Sequence, residues 1–182
     1  MLEPDFIPFP EIRTARLILR RIVQEDVPMI LLMRSDEQLM KYIDKERAST
    51  MEDAQKFFTM INEALEKNEG ITWCISLLEE PAKMIGSIGY WRIIKQHYRA
   101  EIGYMLHHAY WGKGIMHEAI AAVIDYGFGP LKLHSIEAHI NPANAASAGI
   151  LEKNNFVREA YFKEDFFFGG KFLDTAIYSR LK

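Results

Sequence analysis

With 182 residues, 49% hydrophobic and 26% charged, the chain has the balance of an ordinary globular protein and the length of one domain. A formal net charge of -3 offers no basic face for nucleic acid, and no apolar run approaches the roughly 20 residues that cross a bilayer. One cysteine, Cys74, excludes an internal disulfide framework, and the N-terminus, Met1 to Pro10, is unlike a secretory signal, so a cytoplasmic protein is expected.

Residues 1–12 are expected as an irregular arm of a single domain spanning 1–182. Arg16 to Ile22 is the first strand. Gln24 to Tyr42 carries helical signals with a break near Ser35-Asp36. Ser49 and Glu52 have capping-box spacing, and Phe57, Phe58, Ile61 and Leu65 continue a helical stripe to Lys67. Ile71 to Leu78 and Lys83 to Ile94 form a hairpin about Glu79-Glu80-Pro81. Ala100 to His107 is the next strand. Ile115 to Tyr126 is a helix with Ile115, Ala119, Val123 and Tyr126 on one face, stopped by Gly127, Gly129 and Pro130. His134 to Ile140 is a strand, Asn144 to Lys153 a short helix, and Phe156 to Phe168 and Lys171 to Leu181 a hairpin turned by Gly169-Gly170. This α/β order gives a mixed sheet of about seven strands flanked by about four helices, with a parallel crossover around residues 100–140.

Between strand and helix lies Tyr110-Trp111-Gly112-Lys113-Gly114-Ile115-Met116. Glycines let the chain bend with its N–H groups exposed. The first turn of the helix adds unpartnered N–H groups and the positive end of its dipole, which together make an anion cradle. The loop is not a dinucleotide fingerprint, because the third glycine position holds His117, and no Gly-Lys-Ser/Thr follows a four-residue gap as in a Walker loop.

Four segments, taken with the element order, resemble the GNAT acyltransferase superfamily and, within it, the branch of the Rim-type ribosomal-protein N-acetyltransferases. They are Thr14-Ala15-Arg16-Leu17-Ile18-Leu19-Arg20; Glu101-Ile102-Gly103-Tyr104 running into Trp111 to Ala119; Asn144-Ala145-Ala146-Ser147 leading to Leu151 to Phe156; and Gly170 to Asp174 followed by Tyr178-Ser179. The resemblance implies acetyl-CoA as cosubstrate, its diphosphate on the amides of Trp111, Gly112, Lys113, Gly114, Ile115 and Met116. It places the pantetheine arm along Met105, Leu106 and His107, with Asn144 and Ser147 beside it. The chain departs from the family at Trp111 and Met116 at the two ends of the loop word, at Leu151 where many relatives have a tyrosine acid, and at Asn155 in place of a glycine.

Acetyl transfer to an amine needs a base for the ammonium and a donor for the thioester oxygen. The leaving thiolate, with a thiol pKa near ~8.5, takes a proton less urgently. Glu101 is the candidate base, since a partly buried carboxylate has a raised pKa. The alternatives are a salt-bridged strand-edge glutamate, with a water chain or another acid as base. The oxyanion donor is expected at a backbone N–H near Met105 or Leu106. Ser147 stands one helical turn after Asn144 and is the candidate donor to sulfur, against a serine that only satisfies the helix start. His107 and His108 could shuttle protons or lie exposed. His97, His117, His134 and His139 are scattered, so no metal site is expected. Cys74 is expected as an inert core thiol. Lys113 attracts phosphate or is merely solvated. Tyr90 and Trp91 either wall the acceptor groove or divide between core and surface.

These readings combine into an N-acetyltransferase acting by direct transfer on a primary amine, of a protein N-terminus or a small molecule, with no nucleic-acid or membrane partner. The resemblance allows a homodimer. A non-catalytic CoA-binding regulator and a nucleotide-binding module are the alternatives.

Overall fold

Strand alternation and helical stripes in this chain have a common solution, a sheet that buries both faces under helices. The computed structural model describes residues 1–182. In chain order the elements are β1 (Ile12–Arg13), β2 (Leu17–Arg21), α1 (Val27–Ser35), α2 (Glu37–Met40), α3 (Met51–Glu66), β3 (Ile71–Leu77), β4 (Gly86–Ile94), β5 (Arg99–Leu106), α4 (Ile115–Phe128), β6 (Ser135–Ile140), α5 (Ala145–Lys153), β7 (Val157–Phe168) and β8 (Lys171–Leu181). The sheet order is β1-β2-β3-β4-β5-β6-β8-β7. All neighbours are antiparallel except β5 and β6, the expected parallel pair joined through α4.

The eight strands and five helices exceed the about seven and about four read from sequence. The added strand is β1, two residues long and defined only by its pairing with Leu19 and Ile18. The added helix comes from the break at Asp36. That residue is extended (ψ 122°), and its carboxylate accepts from the N–H groups of Gln38 and Leu39 at 2.8 and 2.9 Å, so a new helix starts there. Residues 1–11 carry no helix or strand, yet Leu2 and Phe6 are buried in the main core.

The α3 cap is displaced by one residue from the Ser49 and Glu52 spacing. Thr50 Oγ1 accepts from the Asp53 N–H, and the Asp53 carboxylate accepts from the N–H groups of Ser49 and Thr50. Glu52 instead pairs with Lys56 at 2.8 Å on the outer face. Nor does Gly127 stop α4. It lies inside the helix because a Cβ there would meet Tyr90 Oη at 2.2 Å; Gly129 is the cap.

Two cores flank the sheet. On one face α4 and α5 pack Ile115, Ala119, Ile120, Val123 and Leu151 against Leu17, Trp73, Ile88, Ile102 and Ile136. On the other, α1 and α3 pack Ile30, Met33 and Ala54 with Cys74 and Met84, and Met105 joins their edge. Strand alternation therefore sends Tyr104 to the α4/α5 face and Glu101, Gly103 and Met105 to the α1/α3 face.

Candidate active site

The cradle is made of main chain. Gly112 and Gly114 have φ of 72° and 73°, a conformation that a side chain makes costly. A Cβ on Gly112 would meet nothing within 4 Å. The carbonyl of Gly114 accepts from the N–H of Glu118 at 3.1 Å, which closes the first turn of α4. The Trp111 N–H, expected among the cradle donors, is instead given to the His108 carbonyl at 3.1 Å, whereas no amide from Gly112 to His117 donates to a protein acceptor. These six donors, at the N-terminus of a 14-residue helix, fit a diphosphate. Lys113 is exposed and places its ammonium 5.4 Å from the centre of the Tyr110 ring.

The loop is held from a distant strand. Arg16 Nε donates to Glu118 Oε2 at 2.7 Å and its Nη1 to the Lys113 carbonyl at 2.9 Å. Glu118 Oε1 also accepts from the Arg16 N–H and the Thr14 hydroxyl. The opening strand word of the resemblance thus closes onto the cofactor loop.

The strands β5 and β6 pair over only three registers, Arg99↔Ser135, Ala100↔Ile136 and Glu101↔Glu137, and then separate. β5 runs on to Leu106 paired only with β4, and β6 to Ile140 paired only with β8. Along this opening, the indole N–H of Trp111 donates to the Leu106 carbonyl at 2.7 Å. The His107 N–H donates to the Ile85 carbonyl at 2.9 Å, and the His107 carbonyl accepts from the Tyr110 N–H at 3.0 Å. His107 therefore has no free main-chain donor for a pantetheine arm. Its ring stacks on His108, 4.2 Å between centroids, and His108 Nδ1 stands 3.8 Å from Asp36.

On the α4/α5 face, Asn144 caps α5 with Oδ1 accepting from the Ser147 N–H at 3.1 Å. The Ser147 side chain is not a cap. Its hydroxyl lies 2.8 Å from the Tyr104 hydroxyl, and Ser147 is buried. Burial pushes the Tyr104 phenol up to about 12, against the smaller opposing effect of its Ser147 hydrogen bond. Near neutrality both hydroxyls of the Tyr104–Ser147 pair are therefore protonated. Leu151 packs in the core and takes no part.

On the opposite face Glu101 is 4% exposed. Burial raises its pKa above the ordinary carboxylate value, opposed by the charges of His139 and Arg92. Arg92 Nη2 stands 2.8 Å from Glu101 Oε2, but the N–H is misaligned and that oxygen accepts no hydrogen bond. His139 bridges two buried carboxylates, with Nδ1 4.0 Å from Glu101 and Nε2 3.4 Å from Glu137. Glu101, Glu137 and His139 are ligand types whose donor atoms lie within 4.8 Å of one another. The guanidiniums of Arg92 and Arg99 already supply countercharge there, which suits an acid–base cluster better than a cation site.

Glu101 and Ser147 thus flank the strand opening from opposite faces. Glu137 and Arg92 carry no signal in the sequence, Tyr104 and Arg16 stand there only as members of the resembling segments, and His139 only as one of the scattered histidines. The register Glu101↔Glu137 unites the acid cluster, and no local pattern reveals it. The remaining candidates settle simply. Cys74 is buried with its thiol pushed up to about 12 by burial, an inert group. Tyr90 is core, its hydroxyl donating to the Val123 carbonyl, and Trp91 is surface.

Residues 16–157 match the model of the acetyltransferase (GNAT) domain. The chain belongs to the GNAT acetyltransferase family. It is 32% identical over 174 residues to the uncharacterized N-acetyltransferase YoaA of Bacillus subtilis, covering 96% of this chain and 98% of that one. A crystal structure of a GNAT-family acetyltransferase from Bacillus anthracis superposes with a TM-score of 0.82 at 30% identity, over 94% of this chain and 98% of that one. RimL, the ribosomal L7/L12 alpha-N-protein acetyltransferase solved with coenzyme A, shares the fold with a TM-score of 0.85 at 21% identity, over 94% of this chain and 98% of its own. The protein is an acyl-CoA-dependent acetyltransferase with acetyl-CoA as donor. No helix in it is long and apolar enough to cross a membrane.

Proposed function

We propose that the enzyme acetylates the free α-amine of a protein N-terminus in the cytoplasm, by direct transfer. The observation that carries the mechanism is Glu101, buried at the last paired register before β5 and β6 part. An ammonium has no lone pair, and a carboxylate with a raised pKa is a suitable proton acceptor near neutrality. In this reading Glu101 takes the amine proton from the α1/α3 face. The amides of Gly112 to Met116 hold the diphosphate, and Met105 and Leu106 line the pantetheine arm beside Asn144. The main-chain N–H of Leu106, which the β4–β5 register turns away from β4 while that of Met105 faces Ser87, stabilises the developing oxyanion. Ser147 gives its hydroxyl proton to the leaving sulfur and takes one from Tyr104, which burial keeps protonated beforehand; the second proton that the amine loses as the amide forms restores the phenol through solvent.

The N-terminal acceptor is supported by a relative. The [ribosomal protein uS5]-alanine N-acetyltransferase of Escherichia coli is 29% identical over 120 residues, 65% of this chain and 61% of its own. Free-thiol release from acetyl-CoA tests the reading, with peptides bearing a free N-terminal alanine or serine, the same peptides blocked at the N-terminus, and spermidine. Turnover of the free peptides alone is expected. Turnover of spermidine alone would move the acceptor to small-molecule amines.

A further inference from the structure

A closed ring of hydrogen bonds surrounds Gly114. The guanidinium of Arg16 holds the Lys113 carbonyl, the Glu118 carboxylate holds the guanidinium, and the Glu118 N–H holds the Gly114 carbonyl. The Thr14 hydroxyl locks the same carboxylate from the other side. In a trans peptide the C=O and N–H point in opposite directions. Fixing the Lys113 carbonyl toward Arg16 therefore fixes the Gly114 N–H away from it. The one atom a Cβ on Gly114 would approach is Arg16 Nη2, at 3.5 Å, so the guanidinium occupies the side-chain flank of this residue and leaves the amide flank open.

We propose that Arg16 and Glu118 are positioning residues for the acyl carrier: together they preset the Lys113–Gly114 peptide so that its N–H faces the diphosphate. The proposal rests on the cradle described above. It assigns a purpose to the Thr14-Ala15-Arg16 word, which lies about a hundred residues from the loop in sequence (102 between Arg16 and Glu118). A rigid cradle binds more tightly than a loop that must be ordered by its ligand, because the ordering cost is met in the fold. The partners are opposite charges in direct contact, so their combined field on a phosphate is small, and an isolated half-exposed ion pair would contribute little by itself. Orientation of the peptide is what they supply.

Orientation and charge make opposite claims about Glu118. If Arg16 worked as a bare cation, removing the neighbouring carboxylate would leave anion binding equal or stronger. If the pair works as a clamp, the same change weakens it. Titration calorimetry of CoA and of 3′-dephospho-CoA into the wild type, Arg16→Ala, Glu118→Ala and the double variant separates the two. Each single substitution is expected to weaken CoA roughly ten-fold, and the double variant to fall within about two-fold of the weaker single, the signature of residues acting as one unit. The same factors are expected for dephospho-CoA. Arg16→Lys keeps the charge but cannot span Glu118 and the Lys113 carbonyl together, and should also weaken binding. Should an alanine variant fail to fold by circular dichroism, Thr14→Val and Arg16→Lys carry the test with the same expected direction.

Unchanged or tighter CoA binding by Glu118→Ala would overturn the clamp. So would losses that multiply in the double variant, or a loss at Arg16 seen with CoA and not with dephospho-CoA, which would make Arg16 a 3′-phosphate ligand. A wild type that binds no CoA would instead overturn the cradle itself, so the two failures are distinct.

Discussion

The cofactor loop and the acid–base face of β5 sit on one strand and its continuation, yet they are built from different materials. The loop uses main-chain donors, two glycines and the start of a helix. Its chemistry is written in a contiguous stretch, and the side chains around it act as scaffolding. The face around Glu101 is made of side chains from β4, β5 and β6, and its chemistry exists only once the strands are in register. Main chain binds a phosphate whatever the neighbouring sequence, whereas a base needs a specific environment to tune it. The first kind of site tolerates Trp111 and Met116 at its ends. The second should be sensitive to every charge that touches it.

Five substitutions probe that contrast, the largest expected effect first. Glu101→Gln should lower kcat by roughly 100- to 10,000-fold, the range for removing a general base, and leave CoA affinity intact. The wild-type acid limb should lie above the ordinary carboxylate range, and the variant should lose it. The same substitution should raise the melting temperature at pH 8. A carboxyl whose folded pKa is raised binds its proton more tightly in the native state, so stability falls as pH rises from the ordinary carboxylate value through the folded one. Glutamine removes that loss, and the gap between the two proteins should close below the ordinary carboxylate pKa. A variant that is both inactive and less stable at pH 8 would mark Glu101 as a structural ion-pair member.

Gly114→Val should weaken CoA by about 100-fold, through left-handed strain and the loss of aligned amide donors. Calorimetry reads this directly, and wild-type affinity would break the contrast at the loop. Ser147→Ala and Tyr104→Phe should each lower kcat about ten-fold with little effect on the KM for acetyl-CoA, and the double variant should be no worse than the poorer single. Independent effects would separate the two hydroxyls. Smallest and bland by design is Tyr90→Phe. It removes the hydroxyl that donates to the Val123 carbonyl at 2.8 Å and should cost about 1 kcal/mol of stability with no kinetic effect. A change in kcat there would mean that the core under β4 reaches the site.

The same contrast explains what the sequence disclosed. The strand, loop and helix around Gly112 and Gly114 are legible because each signal is local: a glycine pair, a helical stripe, an apolar strand before it. The hairpins and the break before Asp36 are legible for the same reason. Glu101 stands out as a charge in an apolar strand, but its partners do not. His139 looks scattered until β6 lies parallel to β5 with Glu137 opposite Glu101. Tyr104 sits in a recognised word, yet only alternation across the sheet sends it to Ser147 and Glu101 to the other face. The clamp on the loop is least legible of all, because no pattern joins Arg16 to Glu118 before the sheet forms. The misplaced α3 cap shows the limit at short range: Ser49 with Glu52 and Thr50 with Asp53 have equal spacing, and the shorter acid wins by folding back onto the Ser49 and Thr50 amides.

Amide NMR of the 15N-labelled enzyme titrated with CoA tests the free amides of Gly112 to His117 directly. These six N–H resonances are expected to move downfield and exchange more slowly with solvent on binding, as donors newly engaged by the diphosphate. Saturable CoA binding that leaves them unmoved, with the perturbations gathered elsewhere in the chain, would contradict a main-chain cradle for the diphosphate.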